Sequence, residues 1–369
     1  MASEQRKTRN TPGEMKRAAA ETSAYLAIAD RSDVSALIEP YRRELLLHCY
    51  RLLGSLHDAE DLVQETMLRA WQHFDSFKGS SSLRTWLYTI ATNACLDALK
   101  KRSPRTLPQA SFPAADPRSP IAPALAEATW LEPFPDSWLA EAANNPEARY
   151  TRRESVSLAF LTVLQLLPPR QRAILILSDV LDWHASEVAH LLEISVSAVN
   201  SALHRARVTL ARHYQIDERE MARVDLTDAA TSALLARYVQ AWETDDVAGL
   251  VALLKEDATL SMPPFPAWFW GREAIHAILS HLIRTSKLFG SGVQKKWRLY
   301  PTGANAQPAF VLYRADASAG CYRAFGIQVV TLDRPAPARH IAAVTIFNVP
   351  SLVTSFGFPL QLPAEPSDR

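Results

Sequence analysis

Asp61, Gln64 and Glu65 stand on one side of a segment whose other side is apolar, and they are the first candidates for chemistry in this 369-residue chain. The apolar positions Leu62, Thr66, Ala70 and Phe74, with Met67 and Trp71 beside them, recur at helical spacing. Asp61 and Glu65 lie four apart, so two like charges share one face and weaken an isolated helix by a few tenths of a kcal/mol. Two readings follow: a solvated helix start, where acids suit the dipole, or a face that docks a basic partner helix. Just downstream, Trp71, Phe74 and Phe77 cluster before a small polar loop, 78–82, and Trp86 and Tyr88 follow it. Aromatics at helical spacing are usually core, as Trp86 is expected to be. Exposed aromatics near basic residues instead stack on unpaired bases, at about 1–3 kcal/mol each. Lys100, Lys101 and Arg102 end the next helical stretch, where they suit its dipole and can equally meet phosphates.

A second constellation lies at residues 167–210. Val188, Ala189, Leu191 and Leu192 mark one short helix, a turn follows at Glu193–Ile194, and a second helix starts near Ser195 with Val196, Val199, Leu203 and Ala206 as its buried stripe. Two short helices joined in this way form a helix-turn-helix, the second being the recognition helix. Residues 195–213 carry Arg205, Arg207 and Arg212 and no acid. A left-handed conformation at Glu193, where such turns often place glycine, costs roughly 1–2 kcal/mol.

The elements that must position these groups divide the chain. Residues 1–33 are polar and small, with Arg6, Lys7, Arg9, Lys16 and Arg17, and read as a largely disordered arm, with a short helix near 14–28. Helices run over 34–102. Eight prolines between 104 and 135 make 103–149 an extended linker of net charge −3, not a packed element. Helical periodicity returns over 150–214, a polar joint covers 215–226, a third unit spans 227–350, and 351–369 is a tail. The net charge of +1 suits a poor free DNA binder that needs a large partner to reach DNA. Cys49, Cys95 and Cys321 are scattered and have no metal-ligand spacing, which reads as free thiols in a reducing cytoplasm. No run reaches membrane-spanning length.

Residues 36–102 resemble the promoter-melting domain of sigma-70-family factors, specifically the compact extracytoplasmic-function group. The resemblance implies that Asp61, Gln64 and Glu65, its D-x-x-Q-E set, dock on the clamp coiled coil of the RNA polymerase β′ subunit. It also implies that the loop 77–82 and the helix carrying Asn93 capture a flipped base of the −10 element. Trp71, Phe74, Phe77, Lys78, Ser80, Asn93, Lys100 and Lys101 form the expected −10 set. The leading L-P-x-R-x-R and trailing L-H-R-A-R around the helix-turn-helix resemble the −35-reading domain of the same group. The outward face would then be Ser197, Asn200, Ser201, His204 and Arg205, with Asn200 able to pair bidentately with adenine and Arg205 with guanine or phosphate. The family commonly places basic residues at the positions of Asn200 and Ala202, so fewer phosphate contacts and weaker salt dependence are expected. The polymerase β flap is the second expected contact on the core enzyme.

Beyond residue 214, a helix at 230–244 precedes a strand, an aromatic-rich loop and another helix, then strand-like runs at 296–300, 308–313, 321–332 and 340–348. This order is α+β and resembles the cone-shaped fold of SnoaL polyketide cyclases and ketosteroid isomerases. The segment WLEPFPD at 130–136 resembles the linker signature of sigma factors with such an extension. The expected architecture is multidomain: two all-α sigma domains, the second with the helix-turn-helix, plus a C-terminal α+β SnoaL-like domain. Asp257, His276 and His281 match no catalytic pair, and Trp268, Phe269 and Trp270 either line a pocket mouth or bury against another domain. A sigma factor needs no cofactor, metal or catalytic residue. Trp130, Leu131, Phe134 and Trp138 form an apolar cluster expected to dock on the C-terminal domain, where that domain modulates promoter activity. The alternatives are a ligand-sensing helix-turn-helix regulator and a SnoaL-like enzyme with a DNA-binding tail, both of which leave the D-x-x-Q-E face without a role.

Overall fold

The computed structural model describes residues 31–79, 81–125, 130–140, 155–213, 228–284, 297–316, 318–333 and 340–363. Its first domain is a bundle of α1 (Arg31–Ile38), α2 (Arg42–Leu53), α3 (Leu56–Gln72) and α4 (Leu83–Leu99). The boundaries have local causes. Gly54, at φ 70°, ends α2 in the left-handed conformation and returns its N–H to Tyr50 O at 2.7 Å. Ser55 and Ser82 cap α3 and α4 by accepting from Asp58 N and Thr85 N. Helix α3 buries Leu56, Ala59, Val63, Thr66, Met67 and Ala70. Val63 thus takes the place expected for Leu62, which is half-buried, and Phe74 falls in a 3-10 turn beyond the helix. Helix α1 begins at Arg31, inside the expected arm; the helix expected near 14–28 lies outside the described residues.

The Pro-rich linker is extended in backbone yet packed, contrary to expectation. It holds two short helices, α5 (Pro108–Ser111) and α6 (Asp136–Ala140), and buries Leu107, Trp130, Leu131 and Phe134. The second helical domain comprises α7 (Leu158–Leu166), α8 (Pro169–Leu175) running into a π turn at Ile176–Val180, α9 (Ala185–Leu192) and α10 (Val196–His213). Tyr88 of α4 meets Trp183, just ahead of α9, with ring centroids 5.4 Å apart, so the two helical domains pack together.

The third domain opens with α11 (Ala229–Glu243) and α12 (Val247–Ala252). Then come β1 (Leu254–Ser261), β2 (Trp268–Trp270), α13 (Arg272–Arg284), β3 (Trp297–Ala304), β4 (Gln307–Asp316), β5 (Cys321–Leu332), β6 (Ile341–Phe347), α14 (Leu352–Ser355) and β7 (Gln361–Pro363). The sheet runs β2-β1-β6-β5-β4-β3, with β7 also on β5, and only the β1–β6 pairing is parallel among the described strands. Alternation along the strands sends Phe310, Val330 and Ile346 into one core with Tyr238 and Trp242 of α11 and Ile278 of α13. Ala309, Val311, Val329 and Phe347 face the other way, into an apolar cluster continuous with both helical domains. Two expectations fail here. Trp268–Trp270 is a strand, not a loop, and the presumed tail belongs to the domain through Pro363, because Leu352, Val353 and Phe356 are buried and β7 pairs with β5.

Candidate polymerase and nucleic-acid interfaces

On α3, Asp61 and Gln64 are exposed and Glu65 is half-buried, paired with Arg69 at 2.7 Å one turn on. The start of this helix is held from outside. Glu132 of the linker accepts from Leu56 N at 2.7 Å, His57 N at 3.2 Å and Ser55 Oγ at 3.0 Å, placing a carboxylate on free N–H groups at the positive end of the dipole. Asp58 accepts from Arg105 at 2.6 Å and pairs with Arg102. Burial pushes the Asp58 carboxyl up, but the two guanidinium groups outweigh it and hold it below the usual aspartate value.

The loop after α3 departs from expectation in one respect. Phe77 is buried, 4 % exposed, in a cluster whose ring centroids lie 6.0 Å from Phe74 and 5.3 Å from Trp86. Its ring is core and not a free stacking platform. Trp71 and Phe74 are half-buried, Lys78 and Asn93 are exposed, and Ser80 lies outside the described residues. At the end of α4, Lys100 is exposed beside Asp97 at 2.8 Å and Lys101 is exposed, while Arg102 is tied to Asp58.

In the second helical domain, Glu193 adopts the left-handed turn at φ 54°. Helix α10 buries Val199, Ala202 and Ala206 and leaves Ser197, Asn200, Ser201, His204 and Arg205 exposed. Two sequence assignments change. Val196 is 44 % exposed, outside the stripe, and Ala202 points inward, so its lack of charge has no bearing on the outer face. Arg207 is held by Asp179 at 2.6 Å. That leaves Arg205 and Arg212 as the exposed arginines of α10 with no ion pair to a described acid.

The groups that join the domains were mostly invisible in the sequence. Arg172, in the L-P-x-R-x-R motif, is buried and reaches across to Leu52 O at the end of α2, and its guanidinium also donates to Gln165 Oε1 at 2.6 Å and Leu167 O at 3.2 Å. Burial pulls its pKa down to about 10, and carbonyl oxygens at a helix C-terminus suit a cation. Arg51 of α2 donates to Ser155 Oγ at 2.6 Å. Trp130, Leu131 and Phe134 are buried and Trp138 is half-buried. Phe134 stacks on Tyr50 of the first domain at 4.7 Å, and Arg43 lies over Trp138. Leu131 sits where a Cβ on Gly54 would come within 2.5 Å of it, and Asp136 sits where a Cβ on Gly303 would come within 2.7 Å. Both glycines make room for the linker. Pro135 bridges Ala304 of β3, and Ala115 N donates to Trp268 O of β2 at 2.8 Å, so the linker meets both outer strands of the sheet.

Within the third domain, Tyr238 Oη donates to Gln328 Oε1 at 3.1 Å, and a space of about 20 Å³ beside Tyr238 and Trp242 has room for about one water. Asp257, His276 and His281 are all exposed, away from that interior. Phe269 is buried, Trp268 Nε1 donates to Phe112 O at 2.8 Å, and Trp270 is 63 % exposed. A larger groove of about 650 Å³ runs between α11 and the β3–β4 hairpin, walled by Leu235, Val239, Leu299, Pro308 and Phe310.

Three family descriptions match successive parts of the chain: Sigma-70 region 2 over residues 37–105, Sigma-70 region 4 over 157–210, and SnoaL-like domain over 235–334. The ECF RNA polymerase sigma factor SigG of Mycobacterium tuberculosis is 42 % identical over 333 residues, which is 90 % of this chain and 85 % of SigG. The chain belongs to the extracytoplasmic-function RNA polymerase sigma factors. The sigma factor SigW of Bacillus subtilis, 26 % identical, aligns with 50 % of this chain and 89 % of its own length. The crystal structure of the M. tuberculosis sigma factor SigJ shares the fold, with a TM-score of 0.51 over 90 % of this chain and all of SigJ at 22 % identity. This sigma factor is therefore a non-enzymatic transcription-initiation factor that works with RNA polymerase core and promoter DNA. No helix among its described residues is long and apolar enough to cross a membrane.

Proposed function

We propose that the sigma factor docks on the β′ clamp coiled coil through Asp61, Gln64 and Glu65 and meets the β flap through its second helical domain, in the cytoplasm. It reads a −10 element with Lys78, Asn93, Lys101 and the half-buried Trp71 and Phe74, and a −35 element with Ser197, Asn200, Ser201, His204 and Arg205. The C-terminal domain modulates this activity by setting how the two helical domains face each other. One observation carries the reading. The polar groups assigned to polymerase and DNA lie on outward surfaces, whereas those joining the three domains (Arg51, Arg172, Tyr50 and Asn305) are buried. The chain thus holds its two readers together without spending their reading faces. The test is Asp61→Arg with Glu65→Arg. Affinity for core polymerase should fall at least tenfold with unchanged helical circular dichroism, since both side chains lie off the buried face of α3. Unchanged affinity in the folded double variant would remove the docking face.

A further inference from the structure

The turn between β3 and β4 consists of Asn305 and Ala306, both at positive φ, 55° and 59°. Such two-residue turns favour Asn followed by Gly, because both positions are left-handed. An asparagine at a hairpin tip ordinarily faces solvent. Here Asn305 is fully buried, and its amide is used on three separate parts of the chain. Nδ2 donates to Tyr50 Oη of α2 at 2.8 Å and to Val156 O, just ahead of α7, at 2.6 Å, while Oδ1 accepts from Phe134 N of the linker at 2.9 Å. Tyr50 Oη itself donates to Glu132 O at 2.7 Å. The Asn305 N–H returns to Phe134 O at 3.0 Å, and Ala306 N donates to Asp136 Oδ1 at 2.8 Å. One side chain therefore satisfies groups from the first helical domain, the linker and the second helical domain.

We infer that Asn305 is the positioning residue by which the C-terminal domain recognises the seam between the two helical domains and holds them closed. This rests on the reading above that the C-terminal domain modulates the sigma factor. Only a primary amide supplies both donors and the acceptor in this geometry. A carboxylate would set oxygen against the Val156 carbonyl, and a hydrogen would leave Tyr50, Val156 and Phe134 short of partners in a dry site. Because the three contacts share one side chain, they are lost together when the hairpin tip withdraws.

The test uses the full chain. Asn305→Gly keeps the left-handed turn and deletes the amide, and Asn305→Asp keeps the turn preference and removes the donors. Spin labels at His73→Cys and Arg212→Cys, both exposed positions, on a Cys321→Ser background report the separation of the helical domains. The parent should give one narrow distance, and both variants should lose it in favour of a broad, longer distribution. A cycle with Tyr50→Phe separates recognition from general loosening: Asn305→Gly and Tyr50→Phe should open the chain less than additively when combined. An unchanged distance in both variants, or strict additivity in the cycle, overturns the latch whatever transcription does. An opened distance with parental promoter activity keeps the latch and removes the modulatory reading on which it rests.

Discussion

At the scale of single residues, the side chains proposed to read polymerase and DNA differ from those that hold the domains together, and Asp58 belongs to the second group. Its carboxylate fixes Arg102 and Arg105 at the point where the first domain passes into the linker. Its folded pKa lies below its unfolded one, so this contact stabilises the fold above about pH 4 and is lost as pH falls through the folded value. Asp58→Asn should lower unfolding stability by about 2 kcal/mol at pH 7, and denaturant midpoints of parent and variant should converge as pH falls through the lowered folded value of Asp58. Parallel midpoints across that range would mean that the ion pair contributes nothing. Holding residues of this kind leave little trace in sequence. Asn305 sits in an ordinary turn signal between two strand-like runs, and Glu132 is one acid in an acidic linker; their partners lie 255 and 76 residues away, at Tyr50 and Leu56. That Asp61, Gln64 and Glu65 lie off the buried face of α3 was legible because their spacing is local.

At the scale of elements, periodicity located α3, α9 and α10 well, since each has one wet side and one dry side, whereas the long strand β5 is buried on both faces over 326–330 and reads as an apolar run. It failed where burial is decided by a neighbour far along the chain. Phe77 looked like a loop aromatic until Trp86 covered it, Val196 looked like core but opens α10 in solvent, and α14 and β7 carry too few residues to have a period. Helix α10 gives the sharper prediction. Arg205→Ala should weaken −35-dependent transcription across promoters, while Asn200→Ala should mainly relax preference at one base position, a lost bidentate contact being worth about 1–3 kcal/mol of discrimination. A −35 mutant panel transcribed with purified core enzyme checks both. If neither variant changes the pattern, the outward face has been misassigned.

At the scale of the whole molecule, the proposed −10 and −35 assignments predict that the closed arrangement opens on the promoter. Elements at −10 and −35 lie roughly 80 Å apart on a straight duplex, at about 3.4 Å per base pair. Helix α10, with 18 residues, spans only about 27 Å, and the two helical domains touch through Tyr88 and Trp183. If both elements are read as proposed, that contact is expected to part. Removing the C-terminal domain after residue 214 and, separately, Trp130→Ala with Phe134→Ala both dismantle the junction, from opposite sides. The two variants should therefore shift promoter output in the same direction, by several-fold, in transcription with core polymerase. Output equal to that of the intact chain in both, at several promoters, would make the third domain a passenger.

The course of the linker over the sheet has a further consequence, for solubility. At Ala115 it bonds to Trp268 of β2, and at Pro135 it bridges Ala304 at the end of β3, the strands at the two ends of the sheet. A sheet edge stripped of its neighbour presents a row of unpaired N–H and C=O groups, a template for another strand. If the helical domains separate as proposed and draw the linker away, both edges would lose these contacts together. An opened chain that has not yet met polymerase would then be prone to pair edge to edge with its own copies. On the proposed opening, the linker would act as a removable guard, and sedimentation of the Trp130→Ala with Phe134→Ala variant should show more self-association than the intact chain.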